Sequence, residues 1–297
     1  MQKRFFKILV WLGLMSVLTV LAMGAWMVIW HGSQSTESLK WLQLLQTMGT
    51  FLLPPILCAW LWDSNHQPFR WLHMDKGASW QVFALAVLIM ICAIPAINLL
   101  ADLNSRISLP DSMASIERWM RAMEENAAAL TERFLQAGSA GQLLLNIGLM
   151  ALLPAIAEEL SFRGTLQQVL RGDQASKAGT HTAIWVTAFI FSAIHMQFYG
   201  FIPRMLMGAM FGYVFVWTGS LWIPILMHFT NNCMAVISYH LLGGAESTNV
   251  SGKSIADTIG ADDTWWLGVL SLIVVGILLY LLTSLGPQGY GRRTHKE

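Results

Sequence analysis

Residues 141–170, GQLLLNIGLMALLPAIAEELSFRGTLQQVL, form an almost unbroken apolar run with two adjacent carboxylates, Glu158 and Glu159, and a guanidinium, Arg163, in its second half. As a helix this stretch spans roughly 45 Å, more than the ~30 Å hydrocarbon core of a bilayer. A charged side chain at bilayer depth costs on the order of 2.5–3.5 kcal/mol on insertion scales, so it persists where it is paired or used. The run therefore reads as a membrane helix whose polar residues face the inside of a helical bundle.

The rest of the chain has the same character. It is 55% apolar and 12% charged over 297 residues, against roughly 25% charged in a soluble domain. Eight segments are apolar enough to insert: 5–30, 41–62, 79–101, 141–170, 182–195, 200–217, 221–242 and 264–285. The expected fold is all-α, a polytopic membrane helical bundle of about eight membrane segments around a polar intramembrane catalytic cavity. The first segment starts with Lys3-Arg4 but stays apolar through Trp30, too long for a signal peptide, and is expected to be an uncleaved helix. The fifth, about 21 Å long as a helix, does not cross the core by itself. Its end at His195 needs protein or water partners for its backbone, which predicts a hydrated cavity there.

One integrated membrane domain is expected, in three parts. Residues 1–140 hold the N-terminal membrane helices and an amphipathic loop helix, 141–243 the catalytic helical core, and 244–297 a loop, the last membrane helix and a basic tail. The near-zero net charge carries no nucleic-acid signal, and Cys58, Cys92 and Cys233 show no ligand spacing. With the N-terminus in the cytoplasm, the larger share of the 18 Lys and Arg falls on the cytoplasmic side, and an even number of spans returns the C-terminus there. Met113, Ile116, Met120, Met123, Ala127, Leu130 and Phe134 recur every three or four residues and predict an amphipathic helix over 110–135. It is capped by Asp111 or Ser112 and serves as a connector or as a gate over the cavity mouth. Gly208 and Gly212 form a GxxxG suited to close helix packing, and Asn249-Val250-Ser251 matches a glycosylation tripeptide.

Three polar clusters carry chemistry. Glu159 and Arg163 are four apart on one helical face and read as a buried pair or as part of the reacting groups, while Glu158 points about 100° away. Glu158 has no second cation close in sequence, which suits a general base, and Pro154 one turn earlier bends the helix before it. His195, one turn after Phe191, stands at a helix end where it can share a water with Glu158. His228 and Asn232 share a face of the seventh segment and offer an imidazole and a carboxamide to a developing oxyanion, or bridge helices; Asn231 faces elsewhere.

Taken in order, EExxxR (Glu158 to Arg163), FxxxH (Phe191 to His195) and HxxxN (His228 to Asn232), each on its own apolar helix, resemble the motifs of the CAAX-protease and bacteriocin-processing intramembrane proteases (CPBP, or Abi), which include the type II CAAX prenyl endopeptidases. The resemblance covers roughly residues 141–242. It implies an all-helical membrane endopeptidase whose site opens to the cytoplasmic side. There Glu158 and His195 activate water, His228 and Asn232 stabilise the oxyanion, and Glu159 and Arg163 support the first carboxylate. Its partners would be membrane lipids and a lipidated, peptide or membrane-tethered protein substrate. The first hundred residues and the 110–135 segment match nothing in that pattern.

There is no HExxH, so a zincin arrangement is out. Glu158, His195 and His228 still make a set that a divalent metal such as zinc accepts, and the same three suit a metal-free mechanism with glutamate as base, so no cofactor is assigned. Two other classes fit the polar clusters: a noncatalytic membrane scaffold or binding protein, and a proton-coupled transporter, the latter without internal repeats to support it.

Overall fold

A computed structural model describes residues 2–172, 176–241 and 258–285. Among them all regular structure is helical. The long helices are α1 (Gln2–Trp30), α2 (Thr36–Trp62), α3 (Trp80–Ser105), α4 (Ala114–Leu135), α5 (Ala140–Arg171), α6 (Lys177–Ala193), α7 (Phe201–Thr218), α8 (Trp222–Leu241) and α9 (Trp265–Leu285). Each of the eight expected segments lies on one of these, and the fold is a polytopic membrane bundle.

Among the described residues, six helices are long and apolar enough to cross a membrane: α1, α2, α3, α5, and the stretches Phe198–Thr218 and Asp262–Leu285 that contain α7 and α9. The remaining two are those that lead into or carry the histidines. α6 has 17 residues, and α8, with 20, falls short in hydropathy because His228, Asn231 and Asn232 lie within it. The fifth segment is three residues longer than expected, yet it still stops short of spanning.

α3 holds the centre of one core: Val82, Ala86, Ile89, Met90 and Ala93 pack with Phe211 and Val214 of α7, Ile223 and Met227 of α8, and Val275 and Leu282 of α9. A second core joins Trp11 of α1, Cys58 of α2, Phe162 and Leu166 of α5, and Phe191 of α6. α9 also bonds to α3, where Ser271 Oγ donates to the Cys92 carbonyl and accepts from the Ala96 N–H. The last helix and the third thus share one core. The GxxxG face of α7 packs closely: a Cβ on Gly208 would lie 3.2 Å from Phe191, and one on Gly212 would lie 2.6 Å from Gln167 Oε1.

α2 and α5 depart from α geometry. Each has a π-turn, Met48–Leu52 in α2 and Ile147–Leu152 in α5, directly before its prolines, Pro54-Pro55 and Pro154. Proline lacks an N–H and crowds the carbonyl four residues back, and widening the preceding turn by one residue accommodates both. α5 has a second π-turn, Phe162–Gln167, straight after the two glutamates. The bend expected at Pro154 is therefore taken up by a widened turn ahead of it.

The amphipathic helix forms as α4, but its expected cap does not. Asp111–Met113 is a 3₁₀ turn, and Met113 at the N-cap makes no side-chain capping bond. Glu117 fixes the entry instead, accepting from the Arg121 guanidinium and from the Leu109 N–H, which hold its carboxyl below the usual carboxylate range. α4 is tied at both ends to the bundle. Arg133 donates to the Gln34 carbonyl at 2.8 Å, Trp119 meets Phe198, and Arg121 lies over the Tyr199 ring. The glycosylation tripeptide and the basic residues Arg292, Arg293 and Lys296 lie outside the described residues.

Candidate active site

Glu159 and Arg163, both fully buried, form an ion pair one turn apart on α5. Beyond the pair itself, Arg163 Nε and Glu159 Oε2 are buried without hydrogen bonds, and the other polar atoms find partners on neighbouring helices. Arg163 Nη2 donates to the Gly208 carbonyl at 3.0 Å, and the guanidinium lies over the faces of Phe191 and Phe211. The same Glu159 oxygen accepts a hydrogen bond from His228 Nδ1 at 2.9 Å. Glu159 therefore holds a histidine of α8 and is turned away from Glu158. Its partner outside α5 is thus the imidazole of His228, whereas the motif resemblance implies that it supports the first carboxylate.

Glu158 lies between two imidazoles. Its Oε2 is 3.9 Å from His195 Nε2 and 3.9 Å from His228 Nε2, and this buried oxygen accepts no hydrogen bond. The tautomers follow from the partners. His195 Nδ1 is 2.7 Å from the Phe191 carbonyl, which only accepts, so Nδ1 carries the proton, and when the ring is neutral the Nε2 lone pair faces Glu158. His228 likewise donates from Nδ1, to Glu159. Two atoms 3.9 Å apart can both hold a water lying roughly 2.8 Å from each, a normal hydrogen-bond distance. The Phe191 ring packs against both imidazoles, with centroids 5.0 and 5.9 Å away, and sets their spacing.

These groups line a cavity of about 460 Å³ between α4, α5, α6, α7 and α8. His195 enters it from the turn after α6, as expected of a helix that ends inside the bundle. Asn232 lines it too, and so does Asn231, which sequence spacing had pointed elsewhere. Asn231 Nδ2 donates to Asn232 Oδ1 at 3.2 Å, which leaves the Asn232 amide hydrogens for the cavity. Thr131 and Leu135 of α4 form part of the wall, so α4 borders the site. Arg204 and Gln197, also in the lining, were not singled out from the sequence. Their signal was a cation just after a short turn, read only as a topology marker.

The donor types of Glu158, His195 and His228 are ones zinc takes, but their spacing is not that of a ligand set. Each imidazole nitrogen is 3.9 Å from the carboxylate oxygen, wider than the roughly 3.3 Å between donors of a tetrahedral zinc site. Among the described residues no group of three His, Cys, Asp or Glu side chains is gathered to hold a metal ion.

Residues 140–234 match the family model for type II CAAX prenyl endopeptidase Rce1-like proteins. Over 84 residues, 27% of this chain, the sequence is 33% identical to the uncharacterized protein YpbD of Bacillus subtilis (strain 168), and the match spans 38% of that protein. No solved structure matches the chain. The span matched by the family model contains Glu158, Glu159, Arg163, His195, His228 and Asn232, so the resemblance read from the three motifs holds for the stretch that carries them, while Thr131, Leu135, Ala235 and Val236 of the cavity wall lie outside it.

Proposed function

We propose, from a segment that matches the Rce1-like endopeptidases, that this multi-pass membrane protein hydrolyses a peptide bond in a lipidated, peptide or membrane-tethered substrate. The observation that carries this reading is Glu158 Oε2, a buried carboxylate oxygen without a hydrogen bond, between two imidazole Nε2 atoms at the edge of a cavity.

In this reading a water gives one hydrogen bond to Glu158 Oε2 and the other to His195 Nε2, which aims an oxygen lone pair at the scissile carbonyl carbon. As the C–O bond forms, the water proton passes to Glu158 and the carbonyl oxygen becomes an oxyanion. The Asn232 amide donates to that oxyanion, and so does His228 when it enters the cycle as an imidazolium, its Nε2 proton taken from solvent beforehand and kept throughout. Glu159, fixed by Arg163, holds that imidazole in place through Nδ1. Collapse breaks the C–N bond, the proton held by Glu158 goes to the leaving nitrogen, and an acid and an amine are released with one water consumed. The termini are assigned to the cytoplasmic side; three crossings, α1–α3, then put α4 and the cavity wall it forms on the opposite side, where the motif resemblance had the site opening to the cytoplasm. Residues 141–243 are assigned as the catalytic core.

The test compares peptide termini across the membrane proteome of cells expressing the natural chain or Glu158→Gln at matched levels. New termini that vanish in the variant establish the protease and name its substrates. Identical termini with both proteins folded and abundant make it a scaffold that keeps the polar cluster for binding.

A further inference from the structure

The cavity is open at one end of the bundle and packed shut at the other. Thr131 of α4 and Ala235 of α8, both exposed, stand on its rim with Leu135 and Gln197. The turn after α6 lies at this open end, because Asn104, next to the last residue of α3, donates to the Phe198 carbonyl and accepts from the Ile202 N–H. In the other direction α5 is buried without a break from Glu159 to Gln167. Gln167 donates to the Gly212 carbonyl of α7, and Leu160 packs with Phe215, Leu221 and Ile225. Beneath them the loop between α2 and α3 is bonded across the base of α7 and α8. His73 Nδ1 donates to the Gly219 carbonyl, and the Leu221 N–H donates to the His73 carbonyl. Ser220 Oγ donates to the Lys76 carbonyl and Trp222 Nε1 to that of Met74.

The closed end is also the end that carries the termini: α1 starts there, with Arg4 donating to the Leu170 carbonyl at the end of α5, and α9 returns there from the open end, where Asp262 pairs with Arg106. Each of its connections is basic. Lys3, Arg4 and Lys7 open α1, Arg70 and Lys76 lie between α2 and α3, Arg171 and Lys177 flank the turn from α5 to α6, and Arg292, Arg293 and Lys296 follow α9. Lys and Arg in short connections near the ends of spanning helices are retained in the cytoplasm. At the open end the arginines are held locally, Arg121 by Glu117, Arg106 by Asp102 and Asp262, and Arg133 by the Gln34 carbonyl.

We propose that the cavity opens to the extracytoplasmic side and takes its substrate there, past α4, from the outer juxtamembrane stretch of a membrane-anchored protein. This rests on the peptidase reading above and turns the site away from the side that the motif resemblance implies. Ile116, Trp119 and Leu130 on the apolar face of α4 stay exposed, which suits a helix lying at the level of the lipid headgroups and places the rim beside the membrane surface. Glu158 is about five turns down α5 from its outer end, so only an unfolded segment reaches it. The stretch that joins a folded exported domain to its anchor is such a segment, and the anchor holds it at the rim.

The experiment uses the full chain carrying Thr131→Cys at the rim or Lys76→Cys at the closed end, with the natural chain as background for Cys58, Cys92 and Cys233. A membrane-impermeant maleimide is added to spheroplasts, which present the outer face, and to inverted vesicles, which present the cytoplasmic one. Thr131→Cys is expected to be labelled in spheroplasts and to lose that labelling in inverted vesicles, with the reverse for Lys76→Cys. Labelling of Thr131→Cys from the cytoplasmic side, or equally from both, overturns the proposal. The peptide termini that vanish in Glu158→Gln are expected in extracytoplasmic segments next to an anchor. Termini on the cytoplasmic side overturn the proposal and leave the peptidase standing, and termini in exported proteins without an anchor overturn the choice of substrate. Outward labelling of Thr131→Cys with no termini lost in Glu158→Gln keeps the outward opening and overturns the peptidase.

Discussion

α1 and α5 are close in length, 29 and 32 residues, and both are apolar enough to cross a bilayer, yet they are built differently. α1 is regular throughout and mostly lipid-facing. Its hydroxyls turn inward to its own backbone, with Ser16 donating to Leu12 and Thr19 to Met15. Among the described residues its side-chain hydrogen bonds to a neighbour, Thr19 with Thr50 and Trp26 to Ser38, all go to α2 alone apart from Arg4 to Leu170 at its start. α5 breaks α geometry twice and sends its polar side chains to other helices. Asn146 accepts from Lys40, Ser161 donates to Phe51, Arg163 to Gly208 and Gln167 to Gly212. Such a network locks rotation as well as position, because a buried polar atom that loses its partner keeps its desolvation cost. A helix that only fills space can be regular. One that aims a carboxylate at a point is cross-linked on several faces.

Substitutions can break or sharpen this contrast. Glu158→Gln keeps the shape of α5 and removes its base, so activity is expected to fall by about 10²- to 10⁴-fold with the thermal midpoint nearly unchanged. A comparable fall in the midpoint would make Glu158 a packing residue. Arg163→Ala leaves Glu159 as a buried unpaired charge and is expected to destabilise by about 3–5 kcal/mol in detergent unfolding, with Arg163→Lys a poor substitute because it lacks the planar fork. Gly212→Ala would put a methyl group 2.6 Å from Gln167 Oε1 and 3.0 Å from Ile184, and an overpacking cost of about 1–3 kcal/mol is expected. Gly24→Ala on α1, where nothing lies within 4 Å, is expected to stay within roughly 0.5 kcal/mol of the natural chain. Equal costs at Gly212 and Gly24 would erase the distinction between the two helices.

The sequence carries the site to the extent that the site conflicts with its surroundings. Glu158, His195 and His228 stand out because ionisable groups in apolar runs are costly, and the structure brings these three together. Asn232 was separable from Asn231 only on the assumption that one face of α8 meets the cavity, but the opening is wide enough for side chains about 100° apart to reach it. Arg204 and Gln197 were illegible for the opposite reason, since polar residues beside a turn are ordinary. The role of Glu159 was half legible: spacing gives its pairing with Arg163, which is local, but not the bond to His228, 69 residues away. The cap of α4 failed because Asp111 and Ser112 were used in a 3₁₀ turn, and Glu117 supplied the contact from inside the helix.

The π-turns of α5 bear on how this chain is compared with others. A π-turn holds one residue more than the α-turn it replaces, so everything after Ile147–Leu152 is out of phase, by about 100°, with a continuous helix drawn from Ala140. Phe162–Gln167 shifts the phase again. A relative lacking either turn would show the same facing residues one position earlier in its numbering, and a gapless alignment would pair its lining residues with lipid-facing ones here. The single-residue gap belongs inside these two turns, and an insertion there is a small genetic step by which a spanning helix can acquire an inward carboxylate without moving either end.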